Sequence, residues 1–306
     1  MPDTGAPPLS DGAALVDGVI VPIAEAALPL TDWGFLHGDA TYDVVHVWDG
    51  RFFRLDAHLS RFARNCAALR YDSLPVAPDG IGPDLAQLVR ATGLERAYVA
   101  MIATRGTPAP GSRDPRSCTN RFLAFAVPFI WVATPEQQAT GLDLSISGRR
   151  RIPPDAVDPR IKNYHWLDMT LALFDALDGG RDSVLMSDGA GNVVEGPGFN
   201  VFARLEDGWR TPEDGVLDGI TRDTVCRIAA DMGAPVRRDA VSAGALRNAH
   251  EVFLTSTAGG VIPVTRLDGG AVADGAPGPG TVAIRDAYWA LQADPAWTVP
   301  IADLAG

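Results

Sequence analysis

Lysine is almost missing from this chain. Among 306 residues there are 26 Lys+Arg, and Lys162 is the single lysine, which leaves 25 arginines (26 minus 1). Lysine is ordinarily among the commonest residues of soluble proteins. Arginine can take over wherever a surface position needs only positive charge, since exposed ion pairs contribute little and tolerate exchange. It cannot shed its proton and attack a carbonyl, whereas a buried lysine can. The shortage therefore singles out Lys162, in "DPRIKNYHWLD" (158–168). Basic charge is short overall: the net charge of −12 argues against nucleic acid as a partner, because that calls for a basic face. Cysteine is scarce too. Cys66, Cys118 and Cys226 are odd in number and far apart, which gives neither a disulfide framework nor a zinc spacing. No long apolar run occurs. The strongest, "FLAFAVPFIWVA" (122–133), is interrupted by Pro128 and is too short to span a bilayer. No basic stretch precedes an apolar one at the start, so no signal peptide is expected, and a reducing, cytoplasmic location is.

What is present reads as two α+β domains. Residues 1–11 are a Pro/Gly/Asp-rich tail. Residues 12–128 form a first, smaller domain, 129–136 a linker, and 137–306 a larger second domain. Asp17-Gly18 and Asp49-Gly50 each sit between β-branched or aromatic runs and predict hairpins. "DAHLSRFARNCAALR" (56–70) has helical spacing, and a second helix is expected over 82–92. "AYVAMIATRG" and "RFLAFAVP" complete an antiparallel sheet. In the second domain a helix is expected over 163–177, with Leu167, Leu171, Phe174 and Leu177 on its apolar face. Another covers 221–233, with Thr221 as its N-cap. The run "RRR" (149–151) reads as a solvated turn.

Four features carry chemistry. "DGIT" (218–221) places flexible backbone before a helix start, whose free N–H groups can hold a phosphate together with the Thr221 hydroxyl. "TSTAGG" (255–260) puts Ser256 and Thr257 at a strand end before small residues, a second set of donors. Arg61 lies in a partly apolar helix and can grip a phosphate with its forked guanidinium, although a surface arginine is the commoner reading. Glu195 ends the "VV" run before Gly196-Pro197-Gly198. A reactive lysine, a phosphate cup and a lone carboxylate together describe pyridoxal phosphate chemistry, in which the carboxylate faces the protonated pyridine nitrogen.

The segments "DWGFLHGDATYDVVHVWDG", "RLDAHLSRF", "ATRGTPAPGSRD", "DPRIKNYHWLD", "EGPGFNVF", "GVLDGITRDTV" and "FLTSTAGGVIPV" occur in that order. Through them, from about residue 13 to 291, the chain resembles the fold-type IV pyridoxal-phosphate enzymes, the branched-chain and D-amino-acid aminotransferases. The resemblance implies a small α/β domain and a larger domain with a mixed or antiparallel, barrel-like sheet, meeting at the cofactor in a homodimer whose pocket the neighbouring subunit completes. It makes Lys162 the Schiff-base lysine and general acid/base, and Glu195 the partner of the ring nitrogen. Arg61, Ile220, Thr221, Ser256 and Thr257 become the phosphate cup, and Leu217 packs on the ring.

Within the family, "TYDVVHVWDGRFFRLDAHL" and "EGPGFNVF" are most similar to the (R)-selective amine transaminases. Those enzymes move an amino group from an (R)-amine or D-alanine to a keto acid such as pyruvate. The implied substrate pocket is His37, Tyr42, Val44, Tyr98, Trp166 and Ala258. Arg113, in the loop "GTPAPGSRDP", is the expected carboxylate-binding switch, with Arg116 or Arg105 as alternatives. Trp33, Gly38 and Pro197 depart from the usual pattern and bear on substrate range. A D-amino-acid or branched-chain aminotransferase remains the main alternative, followed by an aminodeoxychorismate-lyase-like enzyme and a non-catalytic cofactor-binding protein.

Overall fold

The structure, a computed structural model, describes residues 9–304. Most of the expected tail lies outside them. Of its remainder, Leu9 is tied down by a hydrogen bond from its N–H to the Ala91 carbonyl (3.1 Å). The chain forms two compact units. The first holds residues up to Ile130, together with Lys162–Tyr164 and the chain from Gln292 onward; the second holds Trp131–Ile161 and His165–Leu291. Among the described residues no helix is long and apolar enough to cross a membrane.

The first unit is a seven-stranded antiparallel sheet. Its strands run in the order Thr298–Pro300, Arg51–Phe53, Ala40–Trp48, Ala97–Thr107, Thr119–Pro128, Ala13–Val16 and Val19–Pro22. Both Asp-Gly pairs make the two-residue turns expected of them. Asp17 and Gly18 have φ of 51° and 81°, and Asp49 and Gly50 have 48° and 72°, the left-handed pair that matches strand twist. Helices Leu55–Ala68 and Ile81–Thr92 bury Phe62, Leu85 and Leu88 against Val45, Val47, Val99 and Met101 of the sheet. The alternate residues Tyr42, Val44 and His46 stand on the other face, opposite Ile102, Ala100 and Tyr98. The boundary expected for the second domain, 137–306, runs too far. Thr298–Pro300 pairs with Arg51–Phe53 and brings the C-terminal segment into the first unit.

The second unit is built on a mixed sheet. Its main path is Arg237–Arg238, Gly208–Thr211, Phe199–Leu205, Glu251–Ser256, Gly260–Leu267, Leu142–Arg150, Ser183–Ser187, Asn192–Val193 and Val241–Ser242. The sheet curls into a half-barrel, and the mixture of helices and strands agrees with the α+β expectation. Leu142–Arg150 runs parallel to both of its neighbours, and the other long pairs are antiparallel.

Two helix expectations need correction. The helix after the lysine is Leu167–Asp178, not 163–177. Lys162–Tyr164 is extended instead, because Asn163 forms a bridge with Thr41 and the Lys162 carbonyl accepts the Tyr42 N–H (3.2 Å). The helix also turns its small side inward. Met169, Ala172 and Ala176 are buried, while Leu167 (79%), Phe174 (59%), Leu177 (50%) and Leu171 (47%) are exposed. The next helix is Ile220–Asp231 with Gly219 as its N-cap and no side-chain cap bond, so Thr221 lies inside the first turn and does not cap it.

His46 is fully buried in the first unit. Its Nε2 lies 2.8 Å from Gln292 Oε1 and must donate, which leaves Nδ1 a buried acceptor without a partner. Burial pulls its pKa down to about 4 from 6.5, opposed by the Gln292 bond. The folded state therefore binds fewer protons than the unfolded chain between those values. Stability is full above about pH 6.5 and falls as pH drops toward 4, by about 3 kcal/mol from this residue. Urea unfolding of wild type and His46→Gln across this range checks this: the variant should have the shallower acid slope, and equal slopes would rule it out.

Candidate active site

The lysine is held by its backbone. Its carbonyl accepts the Thr41 hydroxyl at 2.7 Å as well as the Tyr42 N–H. This pins Lys162 beside the edge of Ala40–Trp48 and sets its Nζ 4.3 Å from the centroid of the Tyr42 ring. The other side of this arrangement is Tyr164, whose ring stacks on Tyr42 at 4.3 Å and 14°. Sequence reasoning passed over Tyr164; its place two residues from the lysine, hence on the same side of an extended segment, was the available signal. Tyr164 keeps 42% of its surface exposed, but partial desolvation of its phenol, with the nearby Tyr42 and Tyr98 phenols adding to it, raises its pKa above the usual range. Tyr98 is raised likewise, by burial first. The result is a wall in which Tyr42 lies against the primary amine and stacks on Tyr164, while Val44 and Tyr98 share the Tyr42 face of the sheet.

On the opposite face Asp43 is completely buried. It accepts Arg61 through Nε (2.7 Å) and Nη2 (2.8 Å), and its Oδ1 lies 2.7 Å from His58 Nδ1. His58 and Arg61 stand three apart on helix Leu55–Ala68, so one helix face delivers both. Burial alone would raise the Asp43 carboxyl; Arg61 and His58 outweigh it and hold the acid far below its usual range. Arg61 is thus a buried and rigidly oriented cation, not a surface residue.

In the second unit three strand ends converge. Glu195 is opposite Asn200, and Asn200 is opposite Thr255 in the next strand, one step before Ser256. Asn200 Nδ2 donates to the Leu217 carbonyl at 3.0 Å, and the Leu217 N–H donates to Glu195 Oε2 at 2.8 Å. The loop that opens helix Ile220–Asp231 is thereby fastened beside Glu195 and Ser256. Ile220 and Thr221 offer first-turn N–H groups that have no acceptor within the helix. A Cβ at Gly219 would press on Asn200 Oδ1 and displace a side chain already bonded to the Leu217 carbonyl. Ser256 accepts the Ala258 N–H at 3.2 Å, which shapes the turn carrying Thr257, and the Ala258 carbonyl accepts the Val132 N–H (2.7 Å). Trp166 closes the start of its helix, within van der Waals reach of a Cβ at Gly198. Arg151 corrects the reading of "RRR". Arg149 and Arg150 are exposed, but Arg151 is buried, with Nε 3.4 Å from Glu195 Oε1 and Nη1 2.7 Å from Asp168 Oδ2.

The three loop arginines differ. Arg105 is bound to Asp39 and to the carbonyls of Leu69 and Arg70, and Arg116 is bound to Asp114. Arg113 is exposed and has no such bond among the described residues. His37, expected in the pocket, is exposed and packs edge-on against Trp33 at 4.6 Å.

The donors fit pyridoxal phosphate. A crowded glycine and two sets of backbone N–H groups suit a phosphate, Glu195 suits a pyridinium, and a primary amine suits an aldehyde. Comparison with known proteins agrees. Residues 40–267 match the family described as amino-transferase class IV. A putative branched-chain-amino-acid aminotransferase of Methanocaldococcus jannaschii is 30% identical over 83% of this chain and 87% of its own. A D-alanine aminotransferase of Bacillus licheniformis is 29% identical over 89% of this chain and 94% of its own. The crystal structure of the T.th. branched-chain amino acid aminotransferase with pyridoxamine 5'-phosphate superposes with a TM-score of 0.87 at 27% identity, over 95% of this chain and 99% of that one. Family match, fold and donor set agree, and the chain belongs to the class IV aminotransferases, pyridoxal-phosphate enzymes of fold type IV.

Proposed function

We propose that this enzyme moves an amino group from an (R)-amine or D-alanine to a keto acid such as pyruvate. The observation that carries the reading is the wall of Tyr42, Val44, Tyr98 and Tyr164 beside Lys162, an apolar and aromatic surface suited to a hydrophobic amine. A carboxylated second substrate then needs a cation that is free to move. Arg113 is the loop arginine without a bond to a carboxylate among the described residues, which supports it as that switch. Branched-chain or D-amino-acid transamination is the second reading, favoured by the relatives named above.

The cofactor, when bound, supplies an electron sink that makes the proton on the substrate carbon labile. Lys162 Nζ takes and returns that proton as general base and acid. Ile220, Thr221, Ser256 and Thr257 would hold the phosphate, and Arg61, kept in a fixed plane by Asp43, would serve it too. Leu217 would lie against the ring, and Glu195 would serve its nitrogen. Trp166 and Ala258 border the substrate, and Val44 and Tyr98 exclude water from the amine. Homodimerisation is supported by the uncovered apolar side chains Leu167, Leu171 and Phe174, and by Leu30, Phe35 and Leu36 elsewhere on the surface. A sedimentation mass near that of one chain, 32.3 kDa, would count against it.

A substrate panel tests the reading. Pyruvate is supplied with (R)- or (S)-1-phenylethylamine, and a keto acid with D-alanine or L-leucine. The (R)-amine should react fastest, and Arg113→Ala should raise KM for pyruvate while sparing the amine half-reaction. Amino acids that outrun the (R)-amine would overturn the amine reading and leave the transaminase itself standing.

A further inference from the structure

A guanidinium beside Glu195 poses an electrostatic difficulty. Its positive charge opposes that of a protonated ring nitrogen and weakens the pull of the carboxylate on it. The structure contains a counterweight. Arg151 makes its short contact with Asp168 (Nη1 to Oδ2, 2.7 Å) and its long one with Glu195 (Nε to Oε1, 3.4 Å). Asp168 is fixed in turn by the N–H of Ile152 at Oδ2 and that of Met169 at Oδ1, both at 2.8 Å. Glu195 Oε2 is fixed by the Leu217 N–H. Arg151 and Glu195 are 8% and 5% exposed, so solvent screens these charges poorly.

We propose that Arg151, clamped by Asp168, is a positioning residue that holds the Glu195 carboxylate in line, and that Asp168 offsets the arginine so that the three side chains together keep one net negative charge toward the ring nitrogen of the cofactor. This rests on the assignment of Glu195 to the ring nitrogen.

The test uses holoenzyme carrying cofactor labelled with nitrogen-15 in the ring, whose chemical shift is followed against pH as a direct readout of ring protonation. Asp168→Asn brings the group to zero charge, and the protonation midpoint should fall by about one unit or more. Arg151→Met brings it to minus two and should raise the midpoint. The double variant Arg151→Met/Asp168→Asn returns it to minus one, and the midpoint should move back toward wild type, the reverse of the accumulated damage expected from a purely structural ion pair. A midpoint lowered in Glu195→Gln but unmoved in Asp168→Asn overturns the proposal and preserves the Glu195 assignment. No change in Glu195→Gln overturns that assignment. If Asp168→Asn fails to fold, Arg151→Met decides alone: a lowered or unmoved midpoint overturns the proposal.

Discussion

Lys162→Arg should abolish transamination although it conserves charge. The expected loss in kcat is at least about 10^4-fold, because on the proposed reading the substitution removes both the covalent attachment of the cofactor and the general acid/base. The visible absorbance of the lysine-bound cofactor should vanish with it. The backbone should remain in place, since Thr41 and Tyr42 bind the carbonyl of residue 162 and not its side chain. The melting temperature of the apoprotein should therefore stay close to wild type. Stopped-flow absorbance with the best amine donor, beside a thermal melt, reads both quantities. A variant that keeps the absorbance band and turns over would show that the catalytic amine lies elsewhere, which the lone lysine leaves little room for.

Asp43→Ala should be the most damaging substitution for stability outside the apolar core. It removes the shared partner of two buried groups and leaves the Arg61 guanidinium without its compensating charge. Breaking a buried ion pair from one side costs about 3–5 kcal/mol, and the Arg61 and His58 bonds at 2.7–2.8 Å show the geometry is close. Asp43→Asn keeps the shape and should fall between wild type and alanine. Urea midpoints at pH 7.5 measure this, and a loss below about 1 kcal/mol for alanine would mean that water reaches Arg61. The pH dependence has a definite sign. The folded carboxyl is depressed, so its contribution is present above the unfolded value of 3.8 and is lost as pH falls below it. The acid limb set by His46 begins earlier, near pH 6.5, so two separate slopes are expected on acidification. Because Asp43 also orients Arg61, cofactor phosphate affinity should weaken alongside stability.

Much of this was readable before any coordinates. Both Asp-Gly hairpins declared themselves because a type I′ turn needs two left-handed residues in succession, and few other pairs supply them. Lys162 stood out because it is the single lysine among 26 Lys+Arg. Other features had no local signal. Three consecutive arginines look alike, and what sets Arg151 apart, its bonds to Asp168 and Glu195, is tertiary. The apolar face of helix Leu167–Asp178 was real, but periodicity reports that a face exists, not which side the protein covers. Thr221 looked like a cap because threonine often is one, while the tight approach of Gly219 to Asn200 is a tertiary fact. The three-residue strand Thr298–Pro300 is too short to carry a period at all. The Asp43 partnership was hidden for a similar reason: His58 and Arg61 share a helix face visibly, but the acid that unites them is 15 and 18 residues away.

The extended segment Lys162–Tyr164 has a consequence for how the enzyme can be taken apart. By sequence the lysine lies deep in the stretch that makes the second sheet, yet its backbone is stitched to Thr41 and Tyr42 of the first. A gene cut near residue 130 would yield one fragment holding the reactive amine and another holding its anchorage. Fragment complementation would then have to restore a strand bridge, not merely dock two finished halves. Variation at Thr41 or Tyr42 would likewise act on the position of the amine while leaving residue 162 itself untouched.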